Sequence, residues 1–225
     1  MRDYLSVSNL QKALMLSSVA VLMSVPRIIL AGVDLRIYIP AAFAAMTFCA
    51  GAGTAWSHRA GMCGLFPARR KMLAGIGVAF ILACIVTPVY LFCIDPIFQD
   101  ALERTGSTSL LMLKYPATIS GCLALALWSA SFETMFFRVG AMSFFARLIP
   151  RQWIVLCLAV TLRVFVSVLQ VADAGVVEAV PFFVIGSAIV SAMSCVLFAR
   201  AGLPAAMFFS AGINLRLFIA LFLVQ

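Results

Sequence analysis

Seven stretches of about twenty apolar residues follow one another along the chain, and they constrain its fold more than any other feature. They cover residues 13–32, 37–56, 72–92, 115–137, 153–172, 176–198 and 203–224. A helix of about 20 apolar residues is long enough to cross the hydrocarbon layer of a bilayer. Backbone in lipid must satisfy its own polar groups, which leaves helices and closed barrels. The expected fold class is therefore an all-α polytopic membrane protein with about seven transmembrane helices. Composition agrees: 64% of residues are hydrophobic and 11% are charged, where a soluble domain carries about 25% charged. Residues 1–225 read as a single membrane domain. The longest connection, 94–114, is too short to fold alone. Thr87-Pro88 marks a kink in the third run, and Pro116 sits near the first turn of the fourth, where proline is tolerated.

The distribution of charge gives an expected orientation. The loop between the second and third runs carries Arg59, Arg69, Arg70 and Lys71 with no acid, and the loop at Arg147 and Arg151 is also basic. Alternate loops carry Asp95, Asp100 and Glu103, then Asp173 and Glu178. Excess lysine and arginine stays cytoplasmic, so the N-terminus is expected in the cytoplasm and the C-terminus outside. The turn with Arg27, Asp34 and Arg36 fits this rule poorly, and Arg27 is expected to snorkel to the interface. Membrane lipids are the expected partners of the net charge of +8. No nucleic-acid partner is needed to explain it. The first run reads as a retained anchor, because no small-x-small cleavage site follows it.

Several chemistries are excluded. The seven cysteines form no CxxC pair, and the one histidine, His58, stands in a basic loop. A metal site needs converging ligands, so neither a metal nor another cofactor is expected. There is no GxSxG elbow and no phosphate-binding P-loop. Ser187, Ser191 and Cys195 recur every four residues, a spacing that lets helices pack closely.

Glu133 is the residue that stands out. It lies in "SFETMFFRVG", within the fourth apolar run, and an ionisable group in a membrane span points to function by default. The competing reading is a structural ion pair. Arg138 is five positions on, off the three or four that pair well along an α-helix. Arg163, in the middle of the fifth run, is the better partner. With the fourth run ending near Phe137, Glu133 is expected a little more than one turn from the cytoplasmic end. On the seventh run Ser210 and Asn214 are four apart and share a face. With Glu133 they would make a small polar cavity, or they hydrogen-bond between helices.

These residues carry a resemblance. "ETMFFRVG" resembles the EExxxR motif of the CAAX-protease and bacteriocin-processing family (CPBP or Abi), which includes the type II CAAX prenyl endopeptidases. Glu133 matches the first glutamate and Arg138 the arginine, while Thr134 replaces the second glutamate and Gly140 sits one place late. The second motif, FxxxH, is matched by Phe165, with Leu169 where the histidine should be. The third, HxxxN, is matched by Asn214, with Ser210 at the histidine. "RAGMCGLFPARRKMLAGIGVAF" and "AGLPAAMFFSAGIN" are similar to the family's usual approaches to its spans. The resemblance covers about 59–220, which leaves 1–58 as two additional N-terminal spans.

The resemblance implies a CAAX-protease-like helical bundle, an integral protein of a bacterial cytoplasmic membrane, and a site in which the glutamate and two histidines activate water while the asparagine stabilises the oxyanion. Leucine takes up no proton, and general-base catalysis needs a group that does. One expectation is thus a non-catalytic member of the fold, holding a peptide segment or partner helix in a cavity with Glu133, Thr134, Arg138, Arg163, Phe165, Ser210 and Asn214. The alternative is an active intramembrane endopeptidase with Glu133 as base and Asn214 as oxyanion donor. A transporter ranks below both, since no pair of broken spans marks corresponding halves.

Overall fold

The structure is a computed structural model that describes residues 6–106, 114–173 and 180–224. Every long element in it is helical, and no strand occurs among the described residues. Helix α1 spans Val7–Leu30 and α2 Leu35–Trp56. Helix α3, Arg69–Val89, runs through a π-helical turn, Tyr90–Ile94, into α4, Asp95–Arg104. Helix α5, Ile119–Trp128, continues as a π-helix over Ser129–Met142 and closes with α6, Ser143–Leu148. Then come α7, Gln152–Asp173, α8, Val180–Ala201, α9, Leu203–Asn214, and α10, Arg216–Val224. These segments combine into seven helices long and apolar enough to cross a membrane, so the chain is an all-α polytopic protein.

Local chemistry sets the helix ends. Ser6, Asp34 and Thr118 cap α1, α2 and α5, each accepting a hydrogen bond from a first-turn amide, which satisfies a donor the helix leaves free. Gly202, at φ +82°, makes the turn between α8 and α9. A β-carbon there would lie 2.6 Å from the Leu65 carbonyl oxygen, so both the conformation and the space call for glycine. The same turn ties down the loop after α2: Cys63 N–H donates to the Ala199 carbonyl and Leu203 N–H to the Leu65 carbonyl, each at 2.9 Å.

The bundle packs through small residues. Gly75 on α3 lies against Ala201, and Gly140 against Cys49. This is how helices approach closely in lipid, where no hydrophobic force drives them together. Met46, Val139, Met142, Phe198 and Leu203 fill the centre. Leu22, Phe80, Phe92, Ile185 and Phe222 are exposed on the outside, an arrangement that suits a lipid solvent and not water. Helices α1 and α2 join through Tyr38 Oη to Ser24 Oγ, 2.7 Å, and Thr47 Oγ1 to Ser17 Oγ, 3.0 Å. They dock on the fourth span, where Tyr38 meets Trp128 and Phe132.

Three expectations change. The third span does not end at Phe92: it continues to Arg104, so Asp95 and Asp100 are helical and not loop residues. The fourth span does not end near Phe137: it continues to Leu148, and Glu133 stands in the middle of a 30-residue helix. Arg27 does not snorkel; it is 6% exposed. The expected start of the sixth span at Val176, together with Glu178, lies outside the described residues.

Candidate functional site

A polar cavity of about 120 Å³ lies inside the bundle. Its walls come from the later part of the third span (Tyr90, Asp95), the first half of the fourth (Ser129, Glu133), α8 (Ser187, Ser191) and the seventh span just past its middle (Asn214, Arg216). In antiparallel spans these parts lie toward one end of the bundle, the end that carries Lys114 and Tyr115 at the cavity. The basic loops and His58 belong to the opposite end, where His58 lines a separate apolar hollow with Lys12 and Phe66. The cavity therefore does not approach Glu133 from the basic, expected cytoplasmic end.

Both π-helical segments supply cavity walls, Tyr90 and Ile94 from one and Ser129, Glu133 and Arg138 from the other. A π-turn widens a helix, and such turns recur at functional sites. Pro88 precedes the first segment, and its ring removes a backbone donor. In the second, Thr134 Oγ1 donates to the Ser129 carbonyl five residues back, at 3.0 Å. Arg138 Nη1 donates to the Glu133 carbonyl, also five back, at 3.3 Å.

The Glu133 carboxylate has two partners. Oε1 accepts from Arg163 Nη2 at 3.0 Å, and Oε2 from Ser129 Oγ at 2.9 Å. Arg163 is fixed in turn by Ser167 Oγ and lies 5.1 Å from the Phe137 ring centre. Arg138 is 3% exposed and donates Nε to Ser194 Oγ at 3.0 Å. Ser210 Oγ lies within hydrogen-bond reach of Thr134 Oγ1, at 3.2 Å, and Asn214 Nδ2 donates to the Ser210 carbonyl at 2.9 Å. The structure thus gathers Glu133, Arg138, Arg163, Ser210 and Asn214 around one space, with Thr134 buried just behind it.

Phe165 is a correction. It is 58% exposed and lines no part of the cavity, and Leu169, in the histidine register, is 52% exposed. The side chain of α7 that faces Glu133 is Arg163. A shift of two positions turns a helix by about half a circle, so the register taken from Phe165 points to the outside.

A second buried ion pair lines the cavity. Arg216 grips Asp95 through Nε at 2.7 Å and Nη2 at 3.0 Å, and Tyr115 Oη donates to the same carboxylate at 3.0 Å. Arg216 also donates to the Ile213 carbonyl and lies 4.7 Å from the Tyr90 ring centre. Arg216 is not among the expected site residues, and Asp95, expected in a loop, lies in a helix. The signal was present: an arginine inside the last apolar run asks for a buried partner, as Glu133 and Arg163 do. Ser129, Ser194, Lys114 and Tyr115 carry no such signal, because hydroxyls and helix-end lysines are common in any span.

No group of three or more metal-ligating side chains occurs among the described residues. Compared with protein-family models, curated proteins and solved structures, the chain matches none.

Proposed function

We propose that the chain is a non-catalytic, membrane-embedded binding protein built on a CPBP-like, CAAX-protease-like bundle, with the Glu133 cavity as its binding site. The observation that carries this reading is the state of Glu133. Both carboxylate oxygens are already engaged, one by the Arg163 guanidinium and one by Ser129. A general base must reach the proton it removes, and no histidine lines this cavity. Asn214, the candidate oxyanion donor, already gives its amide to the Ser210 carbonyl.

The size of the space narrows the ligand. About 120 Å³ is the share of about four waters, while a helix is about 10 Å across. A side chain, a chain end or a headgroup of a membrane partner fits; a whole partner helix does not. In a bacterial cytoplasmic membrane with the basic end inside, the cavity would face the outer side.

An active endopeptidase is the second reading, favoured by the meeting of Glu133, Arg138 and Asn214 in one cavity. The test is a survey of membrane-protein N-termini in cells lacking the chain, cells with the wild type and cells with Glu133→Gln. The binding reading expects the same set of ends in all three, with every form stably expressed. New ends that appear with wild type and vanish with Glu133→Gln would overturn it.

A further inference from the structure

Among the described residues six charged side chains line the cavity, and their charges do not cancel. Glu133 and Asp95 are the acids; Lys114, Arg138, Arg163 and Arg216 are the bases. Arg163 is paired with Glu133 and Arg216 with Asp95. Arg138 has only neutral acceptors, Ser194 Oγ and the Glu133 carbonyl. Lys114 Nζ reaches Gln170 Oε1 at 3.4 Å and lies 5.6 Å from the Phe183 ring centre. Neither Arg138 nor Lys114 forms an ion pair among the described residues. Taking an unpaired charge out of water is expensive, and Arg138 is almost wholly buried.

We propose that the cavity binds a phosphate group, with Arg138 and Lys114 as the two cations left to balance its charge. The inference rests on the reading of this cavity as a binding site. A phosphate monoester carries about −1.5 to −2 charges and three strong acceptor oxygens, which matches two uncompensated cations. A carboxylate, with one charge, would leave a cation unmatched. Arginine has five N–H donors in a planar fork suited to phosphate, and two donor atoms of Arg138, Nε and Nη1, are turned toward the neutral acceptors named above. The Ser191 hydroxyl, buried in the wall, adds a neutral donor. The space suits a headgroup-sized anion, and Lys114 and Tyr115 line it toward the end of the bundle. A lipid phosphate lying at the membrane surface and a small soluble phosphate share this chemistry.

The test uses the purified full chain. Its thermal unfolding is followed in detergent with increasing inorganic phosphate, against chloride at equal ionic strength. It is followed again in phosphatidylcholine nanodiscs with and without phosphatidic acid. A ligand that binds the folded state raises Tm with concentration. The expected result is a rise with at least one of the two phosphates and none with chloride, with the apparent affinity at least tenfold weaker in Arg138→Gln and in Lys114→Gln. A rise with phosphatidic acid alone assigns the phosphate to a lipid; a rise with inorganic phosphate assigns it to a soluble ligand. If Arg138→Gln does not fold, Lys114→Gln decides alone. No rise with either phosphate, or an equal rise in wild type and Lys114→Gln, overturns the proposal. That failure is separate from failure of the binding reading, which shows as Glu133-dependent peptide ends whatever phosphate does.

Discussion

Asp95 and Arg216 stand 121 positions apart in the chain and meet in a two-bonded ion pair, at 2.7 and 3.0 Å. The pair joins the third span to the seventh in the wall of the cavity, and both residues are buried. Arg216→Met strands a buried carboxylate with only Tyr115 as donor. Breaking such a pair costs about 3–5 kcal/mol. The double change Asp95→Leu with Arg216→Met leaves no charge behind and should recover most of that loss. Denaturant unfolding of the wild type, the single and the double variant in detergent measures both quantities; a double variant as unstable as the single one contradicts the pairing.

Glu133 and Arg163 form the second cycle. Each single change, Glu133→Gln or Arg163→Met, should destabilise the fold, and the double change should be milder than either. Arg163→Lys keeps the charge but loses the planar fork that reaches Glu133 and Ser167 together, so it should restore stability only in part. Single variants that unfold like the wild type would mean that the pair contributes nothing.

Gly75 tests the packing of α3 on the turn between α8 and α9. A β-carbon at this position would overlap that of Ala201 and lie 3.3 Å from that of Ala205. Gly75→Val should cost about 1–3 kcal/mol by overpacking. Gly77 has open space around it, so Gly77→Val should change little. Equal loss at the two positions would show that the close approach is not what matters.

Lys114 lies outside the spans and titrates where pH can be varied. Burial first, and then the nearby Arg163 cation, lower it from the ordinary lysine value to about 8. Below pH 8 the side chain is charged in both the folded and the unfolded chain. Between about 8 and the ordinary value near 10.4 the unfolded chain holds the proton and the folded chain does not. Unliganded stability should therefore rise with pH across that window, while affinity for phosphate should fall. Lys114→Gln should abolish both trends. Phosphate affinity that stays flat through pH 8 in the wild type would separate Lys114 from the ligand.

The apolar runs determined the architecture without help from tertiary contacts. A run of that length has few ways to satisfy its backbone in lipid, and the helix is the local one. The partnership of Glu133 with Arg163 was legible for a related reason: a charge in an apolar run must find its opposite, and the mid-run acid and the mid-run base were conspicuous. What the sequence could not determine was decided by how the helices turn and where they widen. Phe165 and Arg163 differ by two positions, yet one faces outward and the other faces Glu133. The π-helix at Ser129–Met142 arises where Thr134 and Arg138 bond carbonyls five residues back, a choice that neighbouring helices stabilise. Asp95, followed by proline, reads like the start of a loop; in the structure Pro96 takes the first turn of a helix that continues the third span. The depth of Glu133 and the surplus of two cations among the described residues around it come from long-range packing. Apolar length fixes that a segment crosses, because that depends on transfer to lipid; facing and pairing depend on partners far along the chain.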